Sequence, residues 1–248
     1  MARARFRIQS MERVTPLAAR LRLAPEDGKL PEAFRRRKPG HACAFSFGVP
    51  GFPPWSGPFI PVNAPSDAGL DIIVPAVDPW TLALVDACER FPGPDANRPW
   101  TADVKGPAGG FVVARGTGPI VMIACGSDAS PFLAVASDMA RMGDRRRAVF
   151  LWSARTRDDL AGLDALTAAG KPAVLTIPIL SGDPLWTGRR GAVDEAALRE
   201  LAAPELADAG TGFWLSAPAE ELRRLSRVLR QLGVGMGRIH TRRVPGRD

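Results

Sequence analysis

Thiols and imidazoles are the side chains here best suited to metal binding or covalent chemistry, and their spacing limits what they can do. Cys43, Cys88 and Cys125 are odd in number and far apart, which argues against a disulfide framework, a zinc site or the four thiolates of an iron–sulfur cluster. His41 and His240 are the only histidines; neither has a partner at ligand spacing, so no metal centre is expected. No Gly-x-Ser-x-Gly elbow occurs, since Ser127 follows Gly126 in a different context. The carboxylates scatter over helix starts and polar faces, so neither nucleophilic nor paired-carboxylate catalysis is expected, and no catalytic residue is assigned.

Positive charge remains. The 248 residues carry 33 Lys plus Arg against 26 Asp plus Glu, a net charge of +7, arranged in short clusters such as Arg35-Arg36-Arg37, Arg145-Arg146-Arg147 and Arg242-Arg243. Nucleic-acid binders more often show one long basic stripe interleaved with aromatics. The readings left are an acidic protein or an anionic cofactor as partner, with a solvated basic surface as the plain alternative. No run approaches the roughly 20 apolar residues of a membrane helix, and the arginines near the N-terminus have no apolar stretch behind them. A soluble, cytoplasmic protein without membrane insertion is expected.

The elements that would position these groups change character midway. Alternating runs around Phe6-Arg7-Ile8 and Leu21-Arg22-Leu23 predict an antiparallel strand pair. Further strands are predicted at 42–47, 60–62, 70–74 and 111–114, between turns rich in Gly and Pro, a pattern of small barrels or sandwiches. After Gly118 the continuous apolar run 120–124, a helix at 129–142 and a second buried strand at 148–152 make a βαβ unit. Helices at 157–169, 194–203 and 219–232 alternate with strands at 173–178 and 212–216. The prediction is an antiparallel β-barrel over residues 1–116, followed over 117–248 by a doubly wound parallel-sheet α/β domain. The crossing falls at Arg115-Gly116-Thr117-Gly118.

Several segments in order resemble the ferredoxin-NADP reductase family, particularly its cytochrome b5 reductase and oxygenase-reductase branches. Lys38-Pro39-Gly40-His41 is similar to the family's Pro-Gly-Gln turn, and residues 58–62 sit at its flavin motif Arg-x-Tyr-[Ser/Thr]. Gly106-Pro107-Ala108-Gly109-Gly110-Phe111 is similar to the segment that closes the family's barrel. Residues 124–132 fall on its Ala-Gly-Gly-Thr-Gly-Ile-Ala-Pro-Phe. Arg155-Thr156-Arg157-Asp158-Asp159-Leu160 and Trp186-x-Gly188-Arg189-Arg190-Gly191 resemble two loops of its nucleotide domain, and Ile239-His240-Thr241 its closing segment.

The resemblance implies an FAD-binding barrel, an NAD(P)-binding α/β domain, and electron transfer from NAD(P)H through FAD to an acceptor, for which an acidic protein or a partner subunit is the implied partner. On the flavin side it points to Phe59, Ile60, Pro61 and Val62, to Trp80 against the adenine, to Thr81 at a helix N-terminus by the phosphates, and to Gly106. On the nucleotide side it points to Gly126, Ser127, Asp128, Arg155, Arg189 and Arg190. Each has a plain alternative: Thr81 as an N-cap, Trp80 as barrel packing, the arginines as surface charge. The motifs depart from the family at their polar positions. Gly57, Phe59 and Ile60 replace Arg, Tyr and hydroxyl; Cys125-Gly126-Ser127-Asp128 replaces Gly-Gly-Thr-Gly; Ser216-Ala217-Pro218 replaces Cys-Gly-Pro; and Arg242-Arg243-Val244 lacks the terminal aromatic. Phe59 keeps a stacking face without the charge and the hydroxyl. Asp128 would cap a helix and repel a pyrophosphate. The expectation is weakened or lost FAD and NAD(P)H binding, with a degenerate reductase-like binding or assembly subunit as the second reading.

Overall fold

A computed structural model describes residues 1–48, 52, 57–113, 116, 118–127, 129–167 and 174–244. Its strands are β1 (Ala2–Thr15), β2 (Ala18–Pro25), β3 (Ala42–Phe47), β4 (Pro58–Phe59), β5 (Leu70–Pro75), β6 (Thr101–Ala108), β7 (Ile120–Cys125), β8 (Ala148–Ala154), β9 (Leu175–Leu180), β10 (Arg189–Arg190), β11 (Gly212–Ala217) and β12 (Ile239–Arg243). Its helices are α1 (Glu32–Arg35), α2 (Pro79–Asp86), α3 (Ser130–Met142), α4 (Leu163–Thr167), α5 (Glu195–Leu201), α6 (Ala203–Ala207) and α7 (Ala219–Gln231).

Alternation builds the first sheet, in which β4-β3-β6-β1-β2-β5 pair antiparallel. Phe6, Ile8, Leu21, Leu23, Phe45, Ile72 and Val104 point inward, while Arg20 and Arg22 on the other face of β2 reach Asp71 of β5. The edges curl together: Val62, just after β4, donates its N–H to the Asp71 carbonyl of β5 at 2.7 Å. Arg37 does not behave as a member of a solvated cluster. Its side chain is buried, and its guanidinium donates to the carbonyls of Phe34, Ala64 and Pro65 and to Asn63 Oδ1. Those bonds replace the water that burial removes and anchor the loop between β4 and β5.

Continuous apolar runs build the second sheet, β10-β9-β8-β7-β11-β12, whose pairings are all parallel. All six residues of β7 are buried, as expected for a strand covered on both faces. The chain steps outward from β7 through β8, β9 and β10 and then returns to place β11 and β12 on β7's other side. This reversal puts a topological switch point between β7 and β11.

Several expectations are corrected. Residues 60–62 are not a strand; pairing stops at Phe59. Residues 111–113 are not one either: Phe111 leaves the barrel to pack edge-on to Phe132 and Trp214, at 6.0 and 5.5 Å between ring centroids. Strand β6, between β3 and β1, was hidden because Lys105-Gly106-Pro107 reads as a turn. The structure absorbs it as an irregularity in pairing with β3, as bulges allow. Strands β10 and β12 were likewise not expected. The expected 157–169 helix is broken: residues 157–159 form a single 3-10 turn, and a helix starts only at Leu163, after Gly162 at φ +97°. The proposed crossing falls partly, and residues 168–169 wholly, outside the described residues.

The two sheets share one apolar contact. Ala18, Val62 and Ile73 of the barrel cluster with Phe132, Leu133 and Leu160 of the parallel-sheet half, and Thr15 Oγ1 donates to the Asp158 carbonyl at 2.8 Å. Gly162 sits at the closest approach. Its φ is +97°, and a Cβ there would lie 2.7 Å from Ile73 Cδ1 and 2.9 Å from Leu133 Cδ1. A Gly162→Ala substitution combines left-handed backbone strain with overpacking and is expected to cost about 2 kcal/mol or more. Urea denaturation of both proteins checks it; an unchanged midpoint would contradict the close packing.

Candidate functional site

The C-terminal ends of the parallel strands open into a cleft of about 1270 Å³ whose opposite wall is the barrel. Cys125, Gly126 and Ser127 reach it from β7, Ser153, Ala154 and Arg155 from β8, and Arg242, Arg243 and Val244 from β12; Pro218 and Glu221 reach it from the start of α7. The barrel supplies Phe59, Ile60, Ile73, Pro75, Val77, Asp78, Trp80 and Thr81.

Seven of the expected residues therefore meet: Phe59, Ile60, Trp80, Thr81, Gly126, Ser127 and Arg155. Others do not. Val62 turns into a separate cavity beside α3, Pro61 is buried, and Gly106 packs against Cys43 and Ala42 inside the barrel. Arg189 is paired with Glu200 at 2.6 Å, and Arg190 donates to the carbonyls of Pro184 and Trp186; neither lines the cleft. Asp128 lies outside the described residues. Sequence reasoning missed Asp78 and Glu221, and noted Arg242 and Arg243 as a basic cluster and as part of the closing segment that lacks the terminal aromatic, not as cleft residues. A signal existed for Asp78, because Asp before Pro is a common helix start.

Three helix N-termini reach the cleft, and they differ. α3 begins after Ala129, which offers no side-chain cap, and Ser130 in its first turn lines the cleft. Pro131 has no N–H and those of Phe132 and Leu133 donate to the Ala129 carbonyl, so what α3 brings to the switch point is the positive end of the dipole of a 13-residue helix. α2 is closed instead by a capping box: Asp78 Oδ1 accepts from Thr81 N at 2.7 Å, and Thr81 Oγ1 accepts from Asp78 N at 3.0 Å. Thr81 is thus the third helical residue and not the N-cap, which is Asp78. α7 carries Glu221 in its first turn, held by Arg224 at 2.6 Å.

The turn after β7 is fixed by its own bonds. Gly126, at φ +87°, gives its N–H to the Ser153 carbonyl at 2.8 Å, while its carbonyl accepts from Trp152 Nε1 at 2.9 Å. Of the arginines, Arg242 donates to the buried Ser216 Oγ at 3.2 Å, while Arg155 is exposed. On the barrel wall Phe59 and Trp80 lie within 25° of parallel, ring centroids 6.3 Å apart, and Phe45 and Phe47 support them at 6.0 and 5.9 Å.

These surfaces fit the two implied cofactors unequally. The α3 terminus and the arginines suit a nucleotide's phosphates. The aromatic wall suits a flavin ring, but no basic residue stands among the described barrel residues of the cleft, so the diphosphate of a resident FAD has no matching group there.

Burial governs the thiols. It pushes Cys43 and Cys125 up to about 12; Glu221, whose Oε2 is 4.0 Å from Cys125 Sγ, adds to the rise at Cys125, and Arg224 opposes it. The folded chain keeps these protons while the unfolded chain releases them near the ordinary value of 9.0. Their stability contribution is therefore complete below pH 9 and is lost as pH rises toward 12, at about 1.4 kcal/mol per pH unit for each thiol. The chain has no Tyr and only four Lys, so few other groups mask the effect. Urea titrations at pH 8.5 and 10.5 should show a drop that shrinks in Cys43→Ala/Cys125→Ala; equal drops in both proteins would show that the thiols do not cause it.

A family model for the oxidoreductase NAD-binding domain matches residues 122–215. No curated relative matches the chain at the level of sequence. Among solved structures it is similar to the flavohem-like FAD/NAD binding domain of nitric oxide dioxygenase from Vibrio cholerae O1 biovar El Tor, with 17% identity over 97% of this chain and 98% of that one and a TM-score of 0.80. It is also similar to the cytochrome b5 reductase domain of Ulva prolifera nitrate reductase, with 18% identity over 97% of each chain and a TM-score of 0.73. Phthalate dioxygenase reductase aligns with 16% identity over 98% of this chain and 68% of that one, at a TM-score of 0.73. Residues 122–215 thus match the oxidoreductase NAD-binding domain model, and the chain as a whole has the two-domain fold of the ferredoxin-NADP reductase type.

Proposed function

We propose that the chain is an electron-transfer oxidoreductase module that takes reducing equivalents from NAD(P)H, with residues 1–116 and 117–248 as its two domains. The observation that carries this reading is the N-terminus of α3 at the switch point, flanked by an exposed Arg155 in a segment that matches an NAD-binding family model. In this reading the α3 terminus, Arg155, Gly126 and Ser127 receive the pyrophosphate region, and Arg242 and Arg243 add positive charge to the same side of the cleft. When bound, the nicotinamide would supply a hydride, which a two-electron acceptor such as a flavin ring held against the aromatic wall would have to take up before electrons pass on. The protein's part is to orient that ring between the strand ends and the aromatic wall and to exclude water from it. No step is assigned to FAD, because only the ring of such a group finds a matching surface. The net charge of +7 favours an acidic protein as the final acceptor.

A second reading, a reductase-like binding subunit without hydride transfer, is favoured by Glu221. Its carboxylate stands in the first turn of α7 at the cleft, where it lowers the affinity of any anion.

Calorimetric titration with NADH and NADPH decides between them. Binding is expected, with Arg155→Ala weakening it about 5- to 20-fold, the loss of one charge-assisted contact. Glu221→Gln should strengthen it. Absence of binding at millimolar nucleotide would end the electron-transfer reading and leave the binding-subunit one.

A further inference from the structure

The two walls of the cleft differ in charge, and the difference bears on what the barrel wall accepts. We propose that this wall binds a flavin by its uncharged isoalloxazine ring alone and selects against the phosphorylated forms, so that riboflavin is held at least as well as FMN and better than FAD. The idea deepens the proposed function, since it concerns the second ligand of the same cleft, but it rests on the opposite wall.

The attractive surface is aromatic. Phe59 and Trp80, both half-buried, line the cleft side by side, with Phe45 and Phe47 behind them and Phe52 edge-on to Trp80 at 5.9 Å. Ile60, Ile73, Pro75 and Val77 continue the wall. Such a surface gains from burying a flat ring whatever the ring's substituents.

The repulsive element is the end of α2. A helix N-terminus ordinarily offers N–H groups to an anion, but here Pro79 has none, and those of Thr81 and Leu82 are taken by the Asp78 side chain and carbonyl, at 2.7 and 2.9 Å. The N–H groups of Val77 and Asp78 are taken by Thr81 Oγ1, each at 3.0 Å. A carboxylate therefore stands where a phosphate would be received. No compensating cation lies nearby on this wall: the described barrel residues of the cleft include none, and residues 49–56, which lead into β4, carry none in sequence. Arg155, Arg242 and Arg243 all belong to the opposite wall.

The test uses the full-length protein, without pyridine nucleotide, in fluorescence titrations with riboflavin, FMN and FAD at low and high salt. Riboflavin is expected to bind about 3- to 10-fold more tightly than FAD, a gap that narrows with salt as the repulsion is screened. Phe59→Ala should weaken all three by a similar factor. Asp78→Asn, which retains a good N-cap, should strengthen FMN and FAD while leaving riboflavin unchanged. FAD binding tighter than riboflavin, three affinities unaltered by Asp78→Asn, or no binding of any flavin would each overturn the proposal. NADH titration of the same preparation reads the opposite wall, so failure of nucleotide binding with the riboflavin preference intact would count against the proposed function alone.

Discussion

The cleft depends on the apolar seam between the two sheets, whose closest approach is that of Ile73 to the turn at Gly162 and to Leu133. Ile73 belongs to β5 of the barrel, and only a residue without a Cβ lets the chain between β8 and α4 come close enough to cover it. The contact divides the space between the two halves, since Ile73 lines both the main cleft and the smaller cavity beside α3. An interior packed at crystal-like density transmits such a constraint over several residues.

Within that frame the distribution of charge sets the chemistry. Two helix dipoles of similar origin are put to opposite uses. α3 brings its N-terminus to the cleft beside the arginines, whereas α2 holds the carboxylate of Asp78 at its own N-terminus. Glu221 at the start of α7 tempers the field of the three arginines. The result is a cleft with arginines on one side and an aromatic wall edged by Asp78 on the other, whereas a tightly held dinucleotide flavin needs cationic or N–H partners for its phosphates.

The fold class was legible because it rests on periodicity. Alternation in Phe6-Arg7-Ile8 and Leu21-Arg22-Leu23, and unbroken apolar runs at 120–124 and 148–152, report how many faces of a strand are buried, and burial is what distinguishes the two sheets. Strand β6 escaped because Gly106 and Pro107 oppose strand structure locally, and its pairing with β3 and β1 supplies hydrogen bonds that no local preference reveals. Arg37 escaped for a related reason: the carbonyls that hold it come mostly from residues 63–65, and a basic triplet gives no sign of them.

The site divides along the same line. Phe59, Trp80, Gly126, Ser127 and Arg155 could be named from sequence because they fall on segments that resemble the ferredoxin-NADP reductase family, and the strand ends of a doubly wound sheet converge by topology. Arg189 and Arg190 could not be judged that way, since an ion pair with Glu200 and carbonyls in their own loop hold them elsewhere. The amino-acid sequence by itself determined the two sheet types, their order and the loss of charge at Gly57, because these depend on residue type and near-neighbour spacing. Only the tertiary structure decided which charges face one another across the cleft and that Asp78 closes α2, because electrostatic partnership depends on distances in space that spacing along the chain does not encode.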